Sequence, residues 1–155
     1  SMSQQRQLKV LSSNRKAFYE YEILDRVEAG LVLTGSEIKS IRNGRVNIAE
    51  SYARPINKEL WLVNAHIAQY PQAGIYNHEP SRFRKLLLKK DQLAALVLSA
   101  NQKGLTIIPL RLYIRNHVAK LELGLARGKK QHDKRKAIAQ RTADRDMQRA
   151  IRGHR

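Results

Sequence analysis

Hydrophobic and polar positions change period several times along this chain, and each change marks an element. Residues 1–13 are polar with scattered Leu and Val, and read as a flexible N-terminal arm. Over residues 17–27 aromatic and β-branched residues alternate with charged ones, which predicts a strand. Glu28-Ala29-Gly30 reads as a turn and Leu31-Val32-Leu33 as the start of a second strand, together a hairpin. Thr34 and Glu37 stand at capping-box spacing, predicting a short helix through Ile38 and Ile41 that stops at Asn43-Gly44. Residues 51–56 and 59–63 flank Asn57-Lys58 as another hairpin, and 65–80 reads as a long loop. A basic lead-in over 81–85 precedes Leu86-Leu87-Leu88. Asp91 then caps a helix with Leu93, Leu96, Val97 and Ala100 at i, i+3, i+4 and i+7, ended by Gly104. Residues 105–114 and 118–125 form a last hairpin across Arg115-Asn116-His117. Its Leu121, Leu123 and Leu125 alternate with Lys120, Glu122 and Gly124, so one face is buried and one is wet.

Numerous short strands joined by hairpins, with two or three small helices, predict a mainly β fold. The expected architecture is an OB-like closed antiparallel β-barrel, since closure leaves no bare sheet edge. It would span residues 14–127, followed by a basic tail over 128–155. From Ala126 onward there are eleven Lys/Arg against three acids and no aromatic residue. So little apolar surface cannot offset the entropy of ordering, and the tail is expected to be disordered until it meets a polyanion.

Charge narrows the partner. The net charge is +17, of which the segment from Ala126 carries +8. Such an excess fits nucleic acid or an anionic membrane. A membrane helix needs bulky apolar residues opposite its basic face, and the tail offers only Ile138, Met147 and Ile151. Nucleic acid is therefore favoured, and no membrane role is expected. The absence of Cys excludes disulfides, thiolate metal sites and cysteine nucleophiles. The five His fall in no catalytic or metal-ligand spacing, and no glycine-rich phosphate loop is present. The expectation is a binding protein rather than an enzyme, with neither metal nor cofactor. With no apolar signal-peptide core at the start, the cytoplasm is the default. A barrel of this kind presents one surface to single-stranded or irregular RNA.

An ordered set of motifs goes further. Asn14-Arg15-Lys16-Ala17, Glu28-Ala29-Gly30-Leu31, Thr34-Gly35-Ser36-Glu37-Ile38-Lys39-Ser40, Val46-Asn47-Ile48, Arg84-Lys85-Leu86-Leu87-Leu88, Ala126-Arg127-Gly128-Lys129-Lys130 and Asp133-Lys134-Arg135 occur in this order. Together they resemble the SsrA-binding protein (small protein B) family, over about residues 14–135. The resemblance implies a non-catalytic, monomeric partner of transfer-messenger RNA (tmRNA) that binds its tRNA-like domain. It implies delivery to stalled ribosomes, where the tail enters the vacant messenger channel near the decoding centre of the small-subunit ribosomal RNA and becomes helical. Translation then switches to the tag-encoding frame. A structural ribosomal or assembly protein with a threaded tail is the alternative, since it explains the charge equally.

By the same resemblance Glu28 touches the RNA as an acceptor from base amino groups, where the bland reading is a turn acid. Leu87 packs on a base or sugar. Strand alternation supports this, because burying Leu86 and Leu88 forces Leu87 outward. Lys120 contacts phosphate from the wet face, and Asn14 stands at the barrel's entrance or caps the first strand. Lys39 and Arg42, at i and i+3, give the short helix one basic face, with solubility as the rival. Arg82, Arg84 and Lys85 form a similar rim. Arg127, Lys129, Lys130, Lys134 and Arg135 release counterions on RNA. His132 stacks on or hydrogen-bonds decoding-centre RNA, and Asp133 suits the N-cap of the induced helix. Ile151 is a modest apolar group near the tail's end.

Overall fold

The structure, a computed structural model, describes residues 8–129, 138–147 and 149. Its elements run β1 (Lys9–Ser13), α1 (Arg15–Glu20), β2 (Tyr21–Leu31), α2 (Gly35–Arg42), β3 (Val46–Asn47), β4 (Tyr52–Ile56), β5 (Glu59–Val63), β6 (His66–Ile67), a 3-10 segment (Pro71–Tyr76), β7 (Arg84–Leu87), α3 (Lys90–Lys103), β8 (Thr106–Arg115) and β9 (Val118–Gly128). The fold is mainly β with a few helices, as its hairpin-rich pattern predicts.

The hydrogen-bonded order of the main sheet is β1-β8-β9-β2-β7-β5-β4, with β3 and β6 as a separate pair. The expected closed barrel is not found among the described residues. β4 comes near β8, but among the described residues no ladder joins the two ends of the sheet. Both edge strands have local reasons for staying unpaired. Pro55 in β4 lacks an N–H, and the register of β1 shifts between Val10 and Ser12.

Three expectations about the N-terminal third also change. The arm over 1–13 is not wholly loose, because Lys9–Ser13 pairs with β8 and Leu11 packs on the core. The strand expected from Ala17 starts only at Tyr21. Asn14 caps a helix instead, accepting from the Ala17 N–H at 3.3 Å and donating through Nδ2 to the Pro109 carbonyl at 3.1 Å. Burial of Ala17 against Ile108, Leu110 and Ala126 holds that helix down, so tertiary packing overrides the β propensity of Phe18 and Tyr19. Glu28-Ala29-Gly30 is no turn. It lies inside β2, paired to β9 throughout and to β7 at Gly30.

Local signals were more faithful elsewhere. The capping box closes as its spacing requires, with Thr34 Oγ1 accepting from the Glu37 N–H and Glu37 Oε1 accepting from the Thr34 N–H at 2.9 Å. Asn57-Lys58 and Asn116-His117 turn two hairpins with positive φ at both residues, the geometry that matches strand twist. Gly104 ends α3 in the left-handed region at φ 63°. The start of α3 differs, because Lys89 is the N-cap and Asp91 sits in the first turn, where it complements the helix dipole. The loop over 65–80 contains β6 and the 3-10 segment.

The core lies on the inner face of the curled sheet, where Leu60, Leu62, Leu86, Leu112, Leu121 and Leu123 meet Ile41 of α2 and Leu96 of α3. Each fully buried Leu or Ile contributes about 1.5–3 kcal/mol relative to exposure. In the tail, residues 138–147 and 149 are helical and exposed. Gln140 Nε2 donates to Asp144 Oδ1 at 3.0 Å, and the Arg141 guanidinium lies 4.9 Å from the Tyr19 ring centroid. Among the described residues no helix is long and apolar enough to cross a membrane.

Candidate nucleic-acid interface

Side chains that are cross-strand partners in an antiparallel ladder share a face, as do residues two apart along a strand. The pairing therefore fixes what stands together on the outer face. Leu87 pairs with Gly30, Gly30 with Lys120, and Lys120 with Tyr113, a row across β7, β2, β9 and β8. Two residues along, Glu28 pairs with Glu122 and Glu122 with Arg111. On β7, Lys85 shares the face of Leu87 and pairs with Trp61. Glu28, Lys85, Leu87 and Lys120, distant in sequence, thus occupy one surface. Leu86 is buried, Leu88 is half-buried and Leu87 is 49% exposed, so Leu87 alone of the three leucines faces outward, at the end of β7. A Cβ at Gly30 would stand 3.4 Å from the Leu87 Cβ, so the two positions touch across the ladder.

Glu28 is held on both oxygens. The Tyr113 hydroxyl donates to Oε2 and the Arg115 guanidinium to Oε1. Glu122 accepts from Arg111 at 2.9 Å and from Arg26 at 3.3 Å. Burial of Tyr113, then its bond to Glu28, pushes the phenol well above its usual range, so it remains a donor at neutral pH. The hydrogen bond from Arg111 to Glu122 likewise holds that guanidinium protonated. These groups line an open depression of about 310 Å³. Its three arginines exceed its two carboxylates, so it favours phosphate overall. A carboxylate has about four lone-pair positions, and with two occupied Glu28 is a fixed acceptor that can still receive a base amino group.

The inner side of β7 carries a different chemistry. Arg84 is fully buried, donating from Nε to Glu37 Oε2 at 2.6 Å, from Nη1 to the Ala65 carbonyl at 2.7 Å and from Nη2 to the Pro80 carbonyl at 2.9 Å. Arg82 donates to the other Glu37 oxygen. Burial by itself pushes the Glu37 carboxyl up. The bonds from Arg82, the Thr34 N–H and Arg84, with the Arg84 charge, outweigh it and hold the group below its ordinary value. The rim reading is therefore corrected for Arg84, which points inward and is covered. It fixes β7 so that Lys85 and Leu87 point outward.

The remaining site residues lie elsewhere. Asn14 is buried under α1, while Lys39 and Arg42 are exposed on α2. Lys85 is half-buried with Glu59 at 3.5 Å. Arg127 pairs with Glu22 at 2.6 Å, and Lys129 Nζ donates to the Phe18 carbonyl at 3.2 Å, both away from the Lys120 row. Lys130, His132, Asp133, Lys134, Arg135 and Ile151 lie outside the described residues. Sequence reasoning missed Arg26, Arg111, Tyr113, Arg115 and Glu122 as one cluster, with Trp61 beside Lys85. The alternation of Arg111, Tyr113 and Arg115 with Leu110, Leu112 and Ile114 was a usable signal. Its meaning depends on Glu28 lying in β2 opposite Glu122 rather than in a turn. Among the described residues no cluster of His, Asp or Glu could hold a metal ion.

Known proteins share this sequence and fold. The family model described as SmpB protein matches residues 11–153. The SsrA-binding protein of Desulfitobacterium hafniense is 51% identical over 145 residues, covering 94% of this chain and 93% of the relative. That of Thermosynechococcus vestitus is 52% identical, covering 93% and 95%. A solved chain described as "tmRNA-SmpB: a journey to the center of the bacterial ribosome" superposes with a TM-score of 0.64 at 45% identity, covering 81% of this chain and 92% of that one. With relatives this similar over nearly the full length of both partners, the chain belongs to the SmpB protein family.

Proposed function

We propose that this protein binds the tRNA-like domain of tmRNA and delivers it to stalled ribosomes in trans-translation, acting in the cytoplasm as a non-catalytic RNA partner. The observation that carries the reading is the likeness to a solved chain described with tmRNA and the bacterial ribosome. The outer sheet face supplies the means. Leu87 offers an apolar contact to a base or sugar, Lys85 and Lys120 meet phosphates, and Glu28, oriented by Tyr113 and Arg115, accepts from a base edge. Use of one β face for irregular RNA is how OB-like folds work. Lys129, Lys130, His132, Asp133, Lys134 and Arg135 belong to the part that engages small-subunit ribosomal RNA, and the tail probes the empty messenger channel.

Deleting residues 133–155 tests the division of labour. Affinity for the isolated tRNA-like domain should stay within about threefold, since the sheet face is untouched, while tagging of a stalled peptide should be abolished. Loss of both together, or persistence of tagging, refutes the assignment.

A further inference from the structure

The 3-10 segment Pro71–Tyr76 exposes the two most accessible large apolar side chains among the described residues, Ile75 at 91% and Tyr76 at 82%. Their exposure is built in. Gly74, at φ 55° and ψ −121°, breaks the 3-10 path just before them and takes a conformation open to glycine. The Asn77 side chain clamps the neck, accepting from the Tyr70 N–H at 3.0 Å and donating to the Tyr70 carbonyl at 2.7 Å. The loop is anchored on α2 and on the segment just after it as well. The Ala68 N–H donates to the Arg45 carbonyl at 3.0 Å, and Lys39 Nζ lies 5.4 Å from the Tyr70 ring centroid. Nothing in the core uses Ile75 or Tyr76.

The surroundings are cationic. Lys39, Arg42 and Arg45 are exposed and form no salt bridge among the described residues, and Glu79 is the sole acid between residues 65 and 80. The helix dipole favours cations in the last turn of α2, but it gives no reason for an exposed aromatic tip on the loop whose neck packs against Lys39. The surface also faces away from the sheet site. Arg84 and Lys85 are neighbours on β7 and point to opposite sides. Arg84 reaches Glu37 of α2, whereas Lys85 shares the outer face with Leu87. A body on the outer face therefore leaves the α2 side free.

We propose that the Ile75 and Tyr76 tip, with the ridge of Lys39, Arg42 and Arg45, is a second RNA-binding surface that takes an unpaired ribosomal RNA nucleotide while the sheet face holds the tRNA-like domain. The cations meet the backbone and the tyrosine ring stacks on the base. Two apolar side chains are far short of the roughly 800 Å² per partner of a stable protein interface, so a protein occupant is disfavoured. The inference rests on the delivery role proposed above.

The test uses the full chain with Ile75→Ser and Tyr76→Ala combined, beside Tyr76→Phe. Affinity for the isolated tRNA-like domain, read by fluorescence, should stay within about twofold, and affinity for purified vacant ribosomes, read by sedimentation, should fall about fivefold or more. Tyr76→Phe, which keeps the ring, should bind ribosomes like the parent. A photoreactive phenylalanine analogue at position 76 should crosslink to ribosomal RNA. Unchanged ribosome affinity in the double variant, or a crosslink to a ribosomal protein or to the tRNA-like domain, overturns the inference. A parent chain that binds the tRNA-like domain no better than an unrelated RNA sinks the delivery role and this inference with it. An intact parent with an indifferent double variant sinks this inference alone.

Discussion

Replacing Arg84 with Met separates a structural arginine from the RNA-facing residue beside it. The side chain is fully buried and makes charge-assisted contacts with Glu37, the Ala65 carbonyl and the Pro80 carbonyl. Methionine fills much of the volume and restores none of the donors. Glu37 then keeps only Arg82 and the Thr34 N–H, the Ala65 carbonyl loses the Arg84 donor, and the Pro80 carbonyl keeps only the Ile67 N–H. Breaking a buried pair from one side costs about 3–5 kcal/mol, because Glu37 stays buried with one of its two cationic partners gone. For a domain of this size that corresponds to a fall in Tm of roughly 10–20 °C.

The pH dependence should change with it. The folded-state pKa of Glu37 lies below its unfolded value near 4.5, so its stabilisation is fully present above that pH and is lost as pH falls through the folded value. Without Arg84 burial counts for more, the carboxyl shifts upward, and this acid-dependent stabilisation shrinks. Urea unfolding between about pH 3 and 7, followed by tryptophan fluorescence from Trp61, measures both effects. At a temperature where the variant is folded, its affinity for the tRNA-like domain should match the parent. A loss below about 1 kcal/mol refutes the buried-pair argument. A normal melt with lost RNA binding restores Arg84 to the rim.

Three further outcomes probe the outer face. Leu87→Ala removes a half-exposed side chain, so it should cost about 1 kcal/mol or less in stability yet weaken RNA binding about fivefold; equal effects on both would return Leu87 to a packing role. Lys120→Ala should lower affinity for all RNAs tested and reduce the slope of log affinity against log salt by about one, whereas an unchanged slope removes Lys120 from the phosphate contacts. Tyr113→Phe deletes the hydroxyl that orients Glu28. It should cost about 1–3 kcal/mol in a denaturant titration and should lower affinity without changing the salt slope; full affinity would show that Glu28 needs no such support.

Much of this protein is decided locally, and there the sequence is sufficient. The Thr34–Glu37 box, the Gly104 cap and the turns at Asn57-Lys58 and Asn116-His117 are set by the backbone chemistry of a few adjacent residues. The exposure of Leu87 between inward-facing neighbours follows from the two-residue period alone. The excess of +17 points to a polyanion whatever the fold. What failed depends on partners far along the chain. Arg15–Glu20 is a helix because Ala17 finds a pocket among Ile108, Leu110 and Ala126, about ninety residues or more away. Glu28 stays in a strand because β9 and β7 flank β2 there, although its local sequence resembles a turn. Among the described residues the sheet ends on β1 and β4 with no ladder between them, which strand order decides. Arg84 and Lys85, chemically alike and adjacent, are told apart only by which face of β7 meets α2. Local rules thus specify the pieces, and long-range packing and pairing decide which charged side chains are buried and which face outward.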